Sequence, residues 1–263
     1  MTHFLKNIFF LFLNLIFGQR LSKASILMYH SVENGNSFLT IRPQTLEKQI
    51  KYLKQKNFTI VRLSELVECL KSGKSVAGMV VITFDDGYEN FYYNAWPILK
   101  RYNVPATIFV PTSLMGNFFS TSDGLTWPVM TQAMVREVAL EGLIDFFPHT
   151  RTHVDLSKST PESLIQEIEG SRRDLESFLP KQKISLFAYP KGRFNISVVE
   201  YLRNNKWDGS VGVQGGLVSG QSDIYNLERN GVGEKTGFIH FRLLVTDGLG
   251  FFTSFKRLLG ITK

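Results

Sequence analysis

The stretch Val80-Val81-Ile82-Thr83-Phe84-Asp85-Asp86-Gly87 decides the fold class of this chain. A short, almost continuously apolar run that ends in a turn signal reads as a strand buried on both faces, the pattern of a parallel sheet covered by helices. Working outward, similar runs recur at Ile26–His30, Ala106–Val110, Leu143–Phe147, Leu186–Tyr189, Gly209–Val213 and Tyr225–Leu227, with Met79–Phe84 among them. Between them lie amphipathic stretches at Gln44–Lys56, Asn90–Tyr102, Gln132–Leu140, Pro161–Phe178 and Ile196–Asn204. In 161–178 the apolar Leu164, Ile165, Ile168, Leu175 and Phe178 recur at helical spacing, and Ser159 or Thr160 before Pro161 is a suitable cap. Strands alternating with helices imply parallel pairing through right-handed crossovers. Seven strands, with no Gly-rich phosphate loop after the first, fit an incomplete or distorted, TIM-like barrel of the βα type better than an open doubly wound sheet.

In such barrels the chemistry gathers at the C-terminal ends of the strands. The polar clusters fall there. The run at 80–84 ends in Asp85-Asp86, and the run at 143–147 leads into His149-Thr150-Arg151-Thr152-His153. One carboxylate and two imidazoles make a three-ligand metal site with an open position, and the other carboxylate is left free as a base. Asp-Asp-Gly taken alone is an ordinary turn tripeptide, and only the two histidines turn it into a site. That donor set suits zinc, while Co2+, Ni2+ or Fe2+ also fit by ligand type. Pro190-Lys191-Gly192 is expected to form a tight turn that presents a backbone N–H.

The 263 residues carry 43% hydrophobic and 20% charged side chains, the composition of an ordinary folded protein. The formal net charge of +7 permits anionic partners, but no basic run exceeds three residues and no helix-turn-helix or RNA-binding signature is found, so no nucleic-acid partner is expected. The 22 Phe serve a plain core as readily as a sugar-binding cleft. A lone cysteine, Cys69, excludes an internal disulfide and leaves the compartment undecided.

At the N-terminus Lys6 precedes the apolar run 7–17 and Arg20 follows it. The run is too short to span a bilayer unaided, and no small-x-small cleavage site follows it. Residues 1–22 are therefore expected to form a short anchor or signal-like helix, with membrane contact through residues 4–17, ahead of a single domain over 23–263. A cleaved signal, or packing of that helix into the core, is the competing expectation. A membrane-associated or cell-envelope location is favoured over a cytoplasmic one.

Thr83-Phe84-Asp85-Asp86-Gly87 followed by His149-Thr150-Arg151-Thr152-His153 resembles the first two motifs of the NodB-like polysaccharide deacetylases, carbohydrate esterase family four. Phe187-Ala188-Tyr189-Pro190-Lys191-Gly192 is similar to the third motif in its "YP-x-G" branch. Leu27-Met28-Tyr29-His30-Ser31-Val32 resembles that branch's first strand, and Leu227-Glu228-Arg229 its late Arg-bearing strand. The resemblance implies a distorted (β/α)7 barrel that removes N-acetyl or O-acetyl groups from glycans with a divalent metal. Asp86, His149 and His153 would hold the metal, Asp85 would be the general base, and the Lys191 amide would help hold the oxyanion. Tyr29, His30, Tyr189, Pro190 and Arg229 are candidate substrate contacts, with Arg229 alternatively steadying Asp85. Trp127 is a candidate for stacking on a sugar, whereas Trp96 and Trp207 read as helix packing.

Three departures accompany the resemblance. Lys191 stands where the family commonly has tyrosine. The arginine that elsewhere precedes the third motif is missing, with Arg193 as a candidate replacement. No clean Leu-x-His motif follows Tyr225, which leaves His240 as the candidate general acid. The partner expected is a polysaccharide or a lipid-linked glycan. A catalytically inactive, membrane-associated glycan-binding or assembly protein that keeps the barrel is the alternative.

Overall fold

The computed structural model describes residues 22–246 and 248, save for residues 36, 122–123 and 181. The expected N-terminal helix at 4–17 lies outside the described residues. In chain order the strands are β1 (Ser25–Tyr29), β2 (Ser31–Val32), β3 (Thr40–Ile41), β4 (Thr59–Val61), β5 (Met79–Phe84), β6 (Ala106–Val110), β7 (Phe118–Ser120), β8 (Thr126–Pro128), β9 (Ile144–Pro148), β10 (Leu186–Ala188), β11 (Gly209–Val211) and β12 (Asn230–Gly231). The parallel sheet runs β12-β1-β5-β6-β9. β10 and β11 form a separate parallel pair, joined to the rest through a bridge between Val211 and Leu227. β9 packs beside β10 without a ladder. A barrel closed by packing rather than by pairing along one seam is the distorted barrel that the strand count implied.

Strand alternation sorts the side chains into two layers. Ile26, Val81, Phe109, Phe147, Leu186, Ala188, Val211 and Leu227 form the core inside the barrel. Their neighbours Leu27, Tyr29, Val80, Ile82, Phe84 and Ile108 face outward into the core beneath the helices. Burial on both faces accounts for the uninterrupted apolar character of β5. Helices Pro43–Gln55, Gln132–Leu140 and Ile196–Asn204 supply the outer layer, while Leu63–Lys71 packs Leu63, Leu66 and Val67 onto the inner core.

Several expected elements differ in detail. The stretch 161–178 opens at Pro161 with Thr160 accepting a bond from the Ser163 N–H, as its cap signal implied, but a π-helical turn, Ile165–Glu169, interrupts it. The stretch 90–102 likewise begins with a π-helical turn, Phe91–Ala95. The strand expected at 225–227 is only the bridge at Leu227, and the pairing with β1 is made later, by β12. β4 shares the β5 edge with β6: β4 pairs residues 79–81 and β6 pairs Thr83 and Phe84. Among the described residues no helix is long and apolar enough to cross a membrane.

Candidate metal centre and active-site cleft

The last rung of each ladder fixes a site residue. The Asp85 N–H donates to Tyr29 O at 2.9 Å and the His149 N–H to Val110 O at 2.9 Å, so both residues continue strand geometry one step past β5 and β9. Beyond those rungs the chain turns sharply. Asp86, Thr150, His153 and Lys191 all hold positive φ, at 67°, 60°, 60° and 58°. Left-handed backbone is unfavourable for side-chain-bearing residues and gathers where a site is over-determined by its surroundings.

These turns bring Asp86, His149 and His153 together, with one ligand atom from each lying within 4.8 Å of the others. Asp86 Oδ1 is 3.3 Å from His153 Nε2 and 3.8 Å from His149 Nε2. Around an ion with bonds of ~2 Å, tetrahedral ligand atoms stand about 3.3 Å apart, which is the spacing of Asp86 and His153, while Asp86 and His149 stand wider and would draw in on an ion. His149 is 2% exposed and its Nδ1 lies 2.8 Å from Ala188 O. A proton on Nδ1 donated to that carbonyl leaves Nε2 as the ligand atom, the outer-sphere bond that fixes a metal-binding imidazole. Burial pushes the His149 pKa down to about 4 against the pull of Asp85, which keeps the ring neutral as ligation requires. For Asp86 burial acts upward, but the hydrogen bond and charge of His153, followed by His30 and His149, hold the carboxyl far below its usual range.

Asp85 faces the same cleft but is held by another partner. Arg229 is wholly buried and grips both carboxylate oxygens, Nη1 to Oδ1 at 2.6 Å and Nη2 to Oδ2 at 2.7 Å. It also donates through Nη1 to Thr83 Oγ1 at 3.1 Å and through Nε to Gly212 O at 2.8 Å. Burial alone would raise the Asp85 pKa, yet Arg229, with His149 and His30, lowers it, so Asp85 stays ionised. Arg229 is therefore the steadying group for Asp85. It is not a glycan contact, because the side chain is wholly buried and four of its five N–H groups are bonded inside the barrel. Arg193, the other candidate for that role, pairs with Asp155 at 3.1 Å on the surface.

Alternation also corrects two aromatic candidates. Tyr29 points outward and donates its hydroxyl to Gln49 Oε1 at 2.8 Å, while its strand neighbours Met28 and His30 line the cleft. Tyr189 is buried in the outer layer, with its hydroxyl 2.7 Å from Tyr225 O. Pro190 is buried too. None of these three side chains is placed to touch substrate. Trp127 is buried, donates to Glu33 and does not line this cleft. Trp96 and Trp207 are buried in packing positions. His240 does not line the cleft. Its helix, Phe238–Leu244, packs Phe238 and Phe241 on Tyr52, and Leu244 O accepts from Ser25 Oγ where β1 begins.

Lys191 lines the cleft beside the acids and histidines. In its turn the Gly192 N–H donates to Tyr189 O and the Arg193 N–H to Pro190 O. The Lys191 N–H takes no part in that pairing. Gly192, at φ 63°, has no room for a Cβ because Val213 lies against it. The cleft has a volume of about 480 Å³. Met28, Phe38, Leu39, Phe119 and Val213 give it apolar walls that sequence reasoning did not single out, and the Phe119 ring lies 4.6 Å from that of His153.

The polysaccharide deacetylase family model matches residues 72–208. YxkH of Bacillus subtilis is 29% identical over 209 residues, covering 79% of this chain and 71% of that protein. The poly-beta-1,6-N-acetyl-D-glucosamine N-deacetylase of Staphylococcus epidermidis is 28% identical over 200 residues, 72% of this chain and 67% of that one. Among solved structures, the Streptococcus pyogenes deacetylase PplD in complex with acetate superimposes with a TM-score of 0.74 at 26% identity, over 85% of this chain and 98% of that chain. With its motifs on one cleft and the family model matching more than half its length, the chain belongs to the polysaccharide deacetylase family, whose members are metal-dependent.

Proposed function

We propose that this cleft hydrolyses the acetamide of N-acetylglucosamine units in a polysaccharide, with Asp86, His149 and His153 holding the metal and Asp85 as the base. One observation carries the assignment: three ligand atoms converge within 4.8 Å while Asp85 beside them is bound by Arg229 instead. A divalent ion held there supplies Lewis-acid polarisation and lowers the pKa of water. Asp85, kept ionised, takes the proton of the attacking water. The Lys191 N–H donates to the oxygen of the acetamide as it gains charge. Zinc is the ion that two imidazoles and a carboxylate suit best. The staphylococcal relative's substrate points to a β-1,6-linked glucosamine polymer, and the apolar run at 4–17 favours work at a membrane surface.

The test is acetate release from β-1,6-linked N-acetylglucosamine oligomers before and after chelation. Activity should disappear with the metal and return with Zn2+ or Co2+. Full activity in protein freed of metal would sink the assignment.

His30 is the group best placed to protonate the departing amine. It lines the cleft, and its charge acts on both Asp85 and Asp86. His30→Asn is expected to lower kcat on the oligomers by about 10²–10⁴-fold, with KM little changed. On an activated acetyl ester, whose leaving group needs no proton, the loss should be far smaller. Equal losses on both substrates would remove His30 from this role.

A further inference from the structure

The five-residue loop that carries both histidine ligands is gripped from outside the cleft by a carboxylate with no part in the chemistry above. Glu167 Oε2 accepts the N–H groups of Arg151 and Thr152, each at 2.9 Å, and Oε1 accepts the Thr152 hydroxyl at 2.8 Å. Successive N–H groups that follow a left-handed residue form a concavity that binds anions. Thr150, at φ 60°, creates that concavity here, and Glu167 fills it. The next residue along is His153, itself held at φ 60°.

The rest of the loop is tied just as closely. Thr112 N–H donates to Thr150 O at 3.1 Å and Ser113 N–H to Arg151 O at 2.9 Å. Asp174 Oδ2 accepts from Arg151 Nε at 2.9 Å and from the Thr112 hydroxyl at 2.6 Å. Glu167 lies inside the π-helical turn Ile165–Glu169, and such turns recur at functional sites. Gly170 closes that turn, and a Cβ there would come within 2.6 Å of Arg151 Cδ. The turn, the missing Cβ and the carboxylate all serve the approach of this helix to the ligand loop.

We infer that Glu167 is a positioning residue for the metal site. By occupying the amide concavity it holds the loop in the left-handed conformation that aims His153 Nε2 at Asp86. Without the carboxylate the loop would relax toward ordinary backbone angles and the ligand triangle would open. This inference rests on the metal reading of Asp86, His149 and His153.

The experiment is Co2+ titration of metal-free full-length protein, followed by the visible absorption of the bound ion and by competition with a chelator. Glu167→Ala is expected to weaken Co2+ binding by about 10–100-fold, the usual cost of losing an outer-sphere partner, and to alter the cobalt spectrum. Glu167→Gln keeps an acceptor oxygen and should recover affinity to within about threefold of the parent, as outer-sphere geometry is restored. Equal affinity in the Ala variant and the parent would overturn the inference, as would a Gln variant as weak as the Ala variant. If the Ala variant does not fold, Glu167→Asp decides. Its carboxylate falls one methylene short of the amides, so weakened binding supports the role and parent-like binding overturns it. Failure of the parent itself to bind Co2+ would instead sink the metal reading.

Discussion

Asp85→Asn is expected to yield a protein that binds its metal with parent-like stoichiometry yet releases acetate about 10²–10⁴-fold more slowly, the range lost with a general base. The expectation follows from a division of labour between adjacent residues. Asp86 lies 3.3 Å from His153 Nε2 and belongs to the ligand triangle, whereas both oxygens of Asp85 are held by Arg229. Removing the charge of Asp85 leaves the triangle intact. Asp86→Asn should do the reverse and strip the metal along with the activity. Metal content per chain, measured beside acetate release on the same preparations, checks the pair. Normal turnover by Asp85→Asn would remove the base assignment, and loss of metal from it would mean that Asp85 is a ligand.

The two carboxylates were legible as a pair at a strand exit because β5 is almost uniformly apolar until it stops. A polar pair after such a run has nowhere to go but the strand's exit. The same period of two could have sorted the flanking candidates. Along β1 and the residue that follows it, Ile26, Met28 and His30 share the inner face, and Leu27 and Tyr29 share the outer one. Tyr189 follows Phe187 outward for the same reason, into the core beneath the helix Ile196–Asn204. Conserving face along each strand would have promoted His30 and set Tyr29 and Tyr189 aside. The hairpin of β7 and β8 also left a local trace, since the aromatic Phe118-Phe119 and Trp127 flank Gly124 between them. Other features left none. That β4 and β6 divide one edge of β5 depends on where each crossover returns, which no local pattern encodes. The Glu167 clamp joins residues that are neighbours only once the helix has packed. Arg229 is the instructive case. A lone arginine late in a chain reads most simply as surface charge, and its full burial follows from the inward register of Leu227 and Arg229 as they run up beside β11 and the residues after it.

Arg229→Met should cost more stability than any other single change in the site. Removing one partner of a buried ion pair leaves the other charge in a medium that solvates it poorly, a penalty of about 3–5 kcal/mol. For a chain of this size that lowers the melting temperature by on the order of 10 °C. The penalty should depend on pH in a defined direction. In the parent, Arg229 holds the Asp85 pKa below its ordinary value, so the pair contributes stability that is present above the unfolded carboxyl pKa of ~3.9 and lost as pH falls through the lower folded value. In the variant burial dominates and the folded pKa rises above the unfolded one. Stability then falls as pH climbs through that interval, because folding must expel a charge or hold a proton. The deficit of Arg229→Met against the parent is therefore expected to widen as pH rises above about 3.9, measured by urea unfolding of the metal-free proteins. Combining it with Asp85→Asn should recover much of the loss, since neither charge remains, while acetate release stays abolished. A double variant no more stable than Arg229→Met would mean that the guanidinium acts by packing against Phe109 and not through the carboxylate it grips.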